Sequence, residues 1–320
     1  MATKPLLVFI IPHRESESTA AAVKAAKEAC ASAGIPFRML SVTGNNPTKQ
    51  RNICLEKVEA EYFYFLDNDT LLTKEALVEF LRLHEKNDGF SVLGGPVLTP
   101  DSDSVLQKAI GFVLSLSYVV GKISSRYSKK GAVRETDDSE LILCNLIVKA
   151  DEFKDHGKFN EKLYPNEENE FIYRLKNSGH RILYSPEFAV ERSQRGSIKA
   201  FVKQMLVYGR GRGEQTRVSP KSFKPILLLP VLYTFLFSWS LLMALLSAKD
   251  SYFLLTVPFL LIPLFAWLHA LKAGVNKSYF VPLLVFLAHM LYGLGFIAGF
   301  FAKGYEAEKK EFECKITEVD

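Results

Sequence analysis

Hydrophobic and polar positions divide this chain in two. Through about residue 220, short apolar runs alternate with stretches whose apolar residues recur at helical spacing, whereas residues 225–302 carry almost no charged side chain. Leu6–Ile11 is a continuous β-prone run ended by Pro12, and Thr19–Ala33 after it spaces Ala and Val as a helix does. Phe37–Val42 reads as a second strand. Gly44-Asn45-Asn46-Pro47 breaks the chain, and Thr48–Val58 follows as a helix with Thr48 as its cap. Glu61–Leu66 is the next strand, Thr73–Lys86 an amphipathic helix capped by Thr73, and Phe90–Leu93 a short strand before Gly94-Gly95-Pro96. Strands alternating with helices predict an α/β domain on a mainly parallel sheet, with ligands at the carboxyl ends of its strands. Ser104–Arg126 sets Ile110, Val113, Leu114 and Leu116 against Lys108, Lys122 and Arg126. That pattern suits a helix lying on a bilayer and one closing the core equally well.

The second part predicts an all-α transmembrane bundle of three helices, Pro225–Leu246, Tyr252–Leu271 and Tyr279–Phe301. Each has the ~20 apolar residues needed to cross a hydrocarbon core. Pro230, Pro258, Pro263 and Pro282 are read as kinks, which neighbouring helices make tolerable. Lys199, Lys203, Arg210, Arg212, Arg217, Lys221 and Lys224 crowd the approach to the first span, while Ala248-Lys249-Asp250 after it is nearly neutral. By the positive-inside rule the first domain stays in the cytosol, Lys272 and Lys277 mark a cytosolic loop, and the tail after Lys303 faces outward. Met1–Arg14 fits this, with only a short apolar run and no cleavage-type site. The organisation expected is an α/β domain over 1–198, a basic interfacial segment over 199–224, the membrane domain over 225–303 and a polar tail over 304–320. Such a chain is a multi-pass protein of the cell membrane. His289 inside a span is a candidate functional residue, and a neutral histidine bonded to another helix explains it equally. Gly293, Gly295 and Gly299 predict close helix contact, within the bundle or between protomers of a homo-oligomer.

Charge and cysteines narrow the picture. The net charge of +5 comes largely from the juxtamembrane cluster. It points to membrane lipids, either anionic headgroups or a phosphorylated lipid, and no nucleic-acid module accompanies it. Cys30, Cys54, Cys144 and Cys314 stand at no metal-ligand or disulfide spacing, as reduced, mostly buried thiols do.

Two acid clusters carry the candidate chemistry. Asp67-Asn68-Asp69 closes the apolar strand Tyr62–Leu66, so two carboxylates one residue apart emerge where such a sheet binds ligands. Carboxylate oxygens are the ligands Mg²⁺ or Mn²⁺ prefers, and those ions keep positions open for phosphate oxygens. Solvated turns also carry this triplet. About a hundred residues on, Tyr164-Pro165-Asn166 leads into Glu167, Glu168 and Glu170 in the first turn of a helix that continues to Arg174 and Leu175. Acids there compensate the helix dipole. A carboxylate so placed also serves as a general base when it reaches an acceptor hydroxyl.

The two clusters, in this order, resemble the family 2 glycosyltransferases with the nucleotide-sugar-binding fold called GT-A, in particular members with a C-terminal membrane bundle. Val8–Pro12 is similar to that family's first strand ending in Pro, and Gln50-Arg51-Asn52 to its R-N pair. Phe65–Thr70 resembles F-L-D-x-D, Gly157–Glu161 resembles G-x-F-D-E, and Glu167–Leu175 resembles E-D-x-D-x-x-x-R-L. The resemblance implies donor contacts for Pro12, Arg14, Glu15, Arg51, Asp67, Asn68 and Asp69, with Asp69 the principal ligand of Mg²⁺ or Mn²⁺ and Asp67 beside it. Glu168 stands where the family has the Asp that serves as base, so either Glu168 or its neighbour Glu167 holds that position. Glu170, Arg174, Arg210 and Arg212 are the expected acceptor or phosphate contacts; membrane anchoring explains the last two equally. No Asp follows the second strand to contact a uracil, which leaves the nucleobase open. Absence of a Q-x-x-R-W pattern near Lys203–Arg212 favours single-sugar transfer. The implied reaction is inverting transfer of one sugar from a nucleotide-diphosphate sugar to a membrane-associated, polyprenyl-linked acceptor at the cytosolic face. A polyprenyl-phosphate glycosyl synthase is the alternative. A metal-dependent phosphotransferase also wants Asp67 and Asp69, without the Gly-rich phosphate loop expected of it, and a non-catalytic membrane protein with a degenerate nucleotide-sugar domain is the remaining reading.

Overall fold

β1 (Leu7–His13) is buried on both faces because its run of apolar residues alternates between two cores. Leu7, Phe9 and Ile11 join Tyr62, Tyr64 and Leu66 of β3 on one side, while Val8 and Ile10 join Phe63 and Phe65 on the other. The computed structural model describes residues 5–86, 89–247, 252, 254–302 and 313–319. In chain order its first elements are β1, α1 (Ala20–Ala33), β2 (Phe37–Thr43), α2 (Pro47–Lys57), β3 (Tyr62–Leu66), α3 (Lys74–Glu85), β4 (Val92–Gly94) and β5 (Val97–Leu98). Then come α4 (Val105–Ser115), α5 (Ser117–Val120), β6 (Arg134–Glu135), β7 (Asn145–Lys149), α6 (Ala150–Asp155), α7 (Glu167–Asn177), β8 (Ile182–Tyr184) and β9 (Val190–Glu191). α8 (Ile198–Val218), α9 (Leu228–Ser247), α10 (Pro258–Lys272), α11 (Phe280–Phe301) and β10 (Lys315–Glu318) complete the chain.

The large sheet runs β10-β2-β1-β3-β7-β4-β8-β6. Its β2-β1-β3 part is parallel, as expected, but β7 enters antiparallel to both β3 and β4, which makes the sheet mixed. α1 and α3 cover one face; α2, α6 and α7 cover the other. Thr73 caps α3, its hydroxyl accepting from the Ala76 amide at 3.2 Å. The cap of α2 is Asn46, not Thr48. Asn46 Oδ1 accepts from Lys49 N at 3.1 Å and Pro47 takes the first helical position, where its missing N–H costs nothing. Thr48 is already inside the helix and fully buried.

A third core joins the α/β domain to the apolar helices. Ile110, Val113 and Leu114 of α4 pack with Phe201 and Met205 of α8 and with Val281, Leu284 and Val285 of α11, so the Ser104–Arg126 stretch closes a core. α9 and α11 are long and apolar enough to cross a membrane, within Pro225–Leu246 and Phe280–Phe301. α10 has 15 residues, about 22 Å at 1.5 Å each, and falls short of the span expected over 252–271. Pro263 lies inside α10, the helix continuing around it. The loop 248–250 and residues 303–312, whose charges entered the topology expectation, lie outside the described residues. The tail corrects that topology. β10 pairs antiparallel with β2, and Arg38 holds Glu318 at 2.7 Å, so residues 315–318 sit on the α/β domain. Among the described residues two helices are long and apolar enough to cross a membrane, or up to three if the bent pair Val105–Ser115 and Ser117–Arg126 is one span.

Gly293, Gly295 and Gly299 are used within the chain. Added Cβ atoms at Gly295 and Gly299 would stand 2.3 and 2.0 Å from the carbonyl oxygens of Leu206 and Arg210 on α8, and one at Gly293 would stand 2.4 Å from Pro230 O. From the α8 side, Gly209 and Gly213 meet Tyr292 O and Phe296 O at 2.1 and 2.2 Å. Backbone lies against backbone over the whole contact. Gly299→Leu and Gly213→Leu therefore each cost about 1–3 kcal/mol or more through overpacking. Both should lower the melting temperature of the detergent-purified protein, while Gly196→Ala, which meets nothing within 4 Å, leaves it unchanged.

Candidate active site

Arg51 projects from α2 into the domain and is 4% exposed. Its Nη2 donates to Asp67 Oδ1 at 3.2 Å and its Nη1 to Glu167 Oε1 at 3.1 Å, so one buried guanidinium joins the first acid cluster to the second. The adjacent Asn52 fixes the loop leading to α7: its Nδ2 donates to Phe159 O and to Glu161 Oε1, and its Oδ1 accepts from Phe159 N. The Arg-Asn pair thus brings β3 and the amino end of α7 to one place.

Asp67 and Asp69 also share a second cation that the sequence reading missed. Arg192 Nη1 lies 3.1 Å from Asp67 Oδ2, and Arg192 Nε lies 2.7 Å from Asp69 Oδ1. Local pairing places it there. Leu71 and Glu191 exchange backbone hydrogen bonds at 2.8 and 3.0 Å, and the Arg192 amide donates to Leu98 O, so the residue after β9 is carried over the turn after β3. Attraction to Asp67 and Asp69 outweighs burial and raises the Arg192 pKa well above its ordinary value, so the residue stays charged. Its signal in the sequence was slight: an arginine separated from the apolar run Phe188–Val190 by Glu191. Asp69 is the more open of the two acids, its side chain 45% exposed.

At the start of α7, Glu167 and Glu168 are both buried. Burial, followed by the neighbouring charge of Glu168, pushes Glu167 up to about 7, against the opposing pull of Arg51. Glu167 therefore holds its proton up to near neutral pH. Glu168 Oε1 accepts from Asn169 Nδ2 at 3.0 Å, and Asn169 Oδ1 accepts from Arg126 and Arg212 at 2.8 and 3.1 Å.

The remaining expected residues are placed as follows. Pro12 is buried at the end of β1, while Arg14 and Glu15 are exposed in the turn beyond it. Asn68 reaches only the Ser18 carbonyl, at 3.5 Å. His13 Nε2 fills the space after β2, 3.0 Å from Ser41 Oγ and 3.1 Å from Thr43 Oγ1. Glu170 and Arg174, expected toward the acceptor, pair with each other at 2.9 Å, and Arg174 also donates to the His156 and Lys158 carbonyls. Arg212, expected on a phosphate, is buried against Asp138 Oδ2 at 3.0 Å; burying a guanidinium requires such a partner. Arg210 is partly exposed and lies 3.3 Å from Glu214. Two cavities flank the cleft. One of about 20 Å³ is lined by Arg192, Tyr127, Gln204 and Tyr208. The other, about 680 Å³, opens between Thr99–Asp101, Lys108, Tyr127–Lys129 and Gly274–Asn276, and so between the α/β domain and the apolar helices.

Comparison with known proteins bears on this arrangement. The family described as Glycosyl transferase family 2 matches residues 15–145, which contain Arg51, Asp67 and Asp69. No curated protein sequence matches significantly. Among solved structures, the mannosyltransferase PcManGT from Pyrobaculum calidifontis, in complex with GDP-Man and Mn²⁺, is similar over 94% of this chain and 88% of its own, with a TM-score of 0.50 and 10% identity. TarS 1–349 of S. aureus is similar over 92% of this chain and 90% of its own, with a TM-score of 0.44 and 15% identity. Its complex with UDP-GlcNAc is similar with a TM-score of 0.43. At these identities the structures speak to the fold alone. The family match and the mixed α/β sheet around it agree: this chain carries a family 2 glycosyltransferase domain of GT-A type, followed by apolar C-terminal helices.

Proposed function

We propose that this chain transfers one sugar, with inversion, from a nucleotide-diphosphate sugar to a hydroxyl of a membrane-associated, polyprenyl-linked acceptor at the cytosolic membrane face. The observation that carries the reading is Arg51, whose two ion pairs put the donor-side acid Asp67 and the base-side acid Glu167 on one guanidinium. Glu167, with Glu168 beside it, supplies a proton acceptor poised near neutral pH, where a general base works best. The acceptor oxygen loses its proton to this pair as it bonds to the anomeric carbon, and the bond from that carbon to the diphosphate oxygen breaks. A polyprenyl phosphate acceptor, already ionised, would need no such base, so the buried acid pair favours a hydroxyl. The larger cavity beside Lys108 and Lys129, open to both the domain and the apolar helices, supports an acceptor arriving from the membrane.

Asp67 and Asp69 fit a divalent cation by chemistry and exposure: both are carboxylates on one turn, and Asp69 is half-open. Asp69, with Asp67 beside it, would hold Mg²⁺ or Mn²⁺, which when bound supplies Lewis-acid stabilisation of the leaving diphosphate. The Mn²⁺ and GDP-Man named for the Pyrobaculum protein support this choice. Arg192 occupies oxygens of both acids, so it competes with the cation for them and is placed to pass to the donor diphosphate instead. The domain limits read from sequence, with 199–224 as a basic interfacial segment, suit a cytosolic domain resting on the membrane.

Three outcomes test this. Incubated with a panel of nucleotide sugars, Mn²⁺ and membrane lipid extract, the protein should release nucleoside diphosphate and label a lipid product. Pyrophosphate as the product would sink the reading, and Asp69→Asn should abolish metal-dependent turnover. A carboxylate with a raised pKa is protonated below it, so a base of this kind makes kcat rise with pH through about 7. Loss of that rise in Glu167→Gln or Glu168→Gln, with kcat down roughly 10²–10⁴-fold, is the expected result. Full activity of both variants on a polyprenyl phosphate would favour the synthase instead. Finally, Arg192→Gln should bind Mn²⁺ about tenfold tighter without nucleotide, since two partly exposed ion pairs of up to about 1 kcal/mol each no longer compete. Electron paramagnetic resonance of free Mn²⁺ reads this directly.

A further inference from the structure

At the opposite end of the strands from Asp67, three ligand-type side chains converge without any role in the reaction proposed above. Glu152 lies in α6, His156 follows one helical turn later, and His180 stands just before β8. Glu152 Oε2 is 3.0 Å from His180 Nδ1 and 3.8 Å from His156 Nε2, and all three ligand atoms lie within 4.8 Å of one another. The imidazole rings meet edge to face, their centroids 4.5 Å apart. Ser91 Oγ lies 3.1 Å from His180 Nδ1 on the far side of the group.

We propose that Glu152, His156 and His180 bind one divalent transition metal ion of the zinc class. Ligands 2.0–2.2 Å from a tetrahedral zinc stand roughly 3.3–3.6 Å from each other, and the two measured separations bracket that spacing. A separation of 3.8 Å is too long for a hydrogen bond but suits two ligands of one ion. Glu152 is only 6% exposed, and its Oε1 and Oε2 lie 3.1 and 3.0 Å from His180 Nδ1. A buried carboxylate facing two imidazoles carries a desolvation cost that a cation between them would offset. Two imidazoles with one carboxylate select zinc, cobalt or nickel over the hard ions that Asp67 and Asp69 suit. The histidines are partly exposed, so solvent has access to a fourth position. An ion here would tie the end of α6 to the entry of β8 and so brace residues 157–166, which deliver Glu167 and Glu168. Its part is that of a clamp.

The test uses full-length, tag-free protein carrying Asp69→Asn, which removes the donor-site cation from the count, stripped with a chelator and titrated with Zn²⁺ by calorimetry and with Co²⁺ by visible absorption. One equivalent per chain is expected, with the absorption of a nitrogen- and oxygen-ligated low-coordinate Co²⁺. Glu152→Gln and His180→Ala should each weaken binding roughly a hundredfold or more, while melting temperatures in chelator confirm that they fold. His156→Asn, at a partly exposed position, serves where a buried substitution does not fold. Absence of the equivalent in the Asp69→Asn protein, or its retention by the ligand variants, overturns the proposal.

Discussion

The buried Arg51 guanidinium is the constraint on which the rest of the site depends. A charge at 4% exposure is tolerable only with close partners, and its two partners come from segments a hundred residues apart in sequence. Asp67 must lie at the carboxyl end of β3, and Glu167 must begin a helix facing it. Asn52, one residue on, holds the loop that makes this possible. Removing either acid would leave Arg51 underpaired, so one interaction ties the two acid clusters together. Arg51 also bears unequally on the two acid groups. It steadies Asp67, which Arg192 balances from the other side, but only partly offsets the burial of Glu167, whose like-charged neighbour Glu168 keeps a proton close to neutral pH.

Much of this was legible locally. β1, β3 and the Thr73 cap follow from apolar runs and one hydroxyl, and the acid clusters announced themselves by position. Long-range partners were not legible. Asn145–Lys149 reads as an apolar run like any other, and nothing within it says that it pairs antiparallel between β3 and β4. Arg192 looks like a surface residue until the Leu71–Glu191 bridge carries it over Asp67 and Asp69. Arg212 and Arg174 read as phosphate contacts because arginine suits phosphate, yet Asp138, Asn169 and Glu170 claim them first. The tail erred for a similar reason: positive-inside counting sees charges, whereas its side was decided by the pairing of β10 with β2.

α8 links the chemistry to the apolar helices. One side of it carries Gly209 and Gly213, flush against the backbone of α11, and between them a Cβ added at Gly211 would stand 2.8 Å from Pro165 O, beside the start of α7. Arg212 then reaches from the same turn to Asn169, which in turn holds Glu168. Close backbone contacts of this kind transmit displacement rather than absorb it, since packed interfaces shift between discrete arrangements. α11 and the start of α7 are thus joined through α8 by close contacts. The glycines that the sequence suggested for helix association and the arginine it suggested for phosphate act on one element: they set where the start of α7 sits relative to the apolar helices.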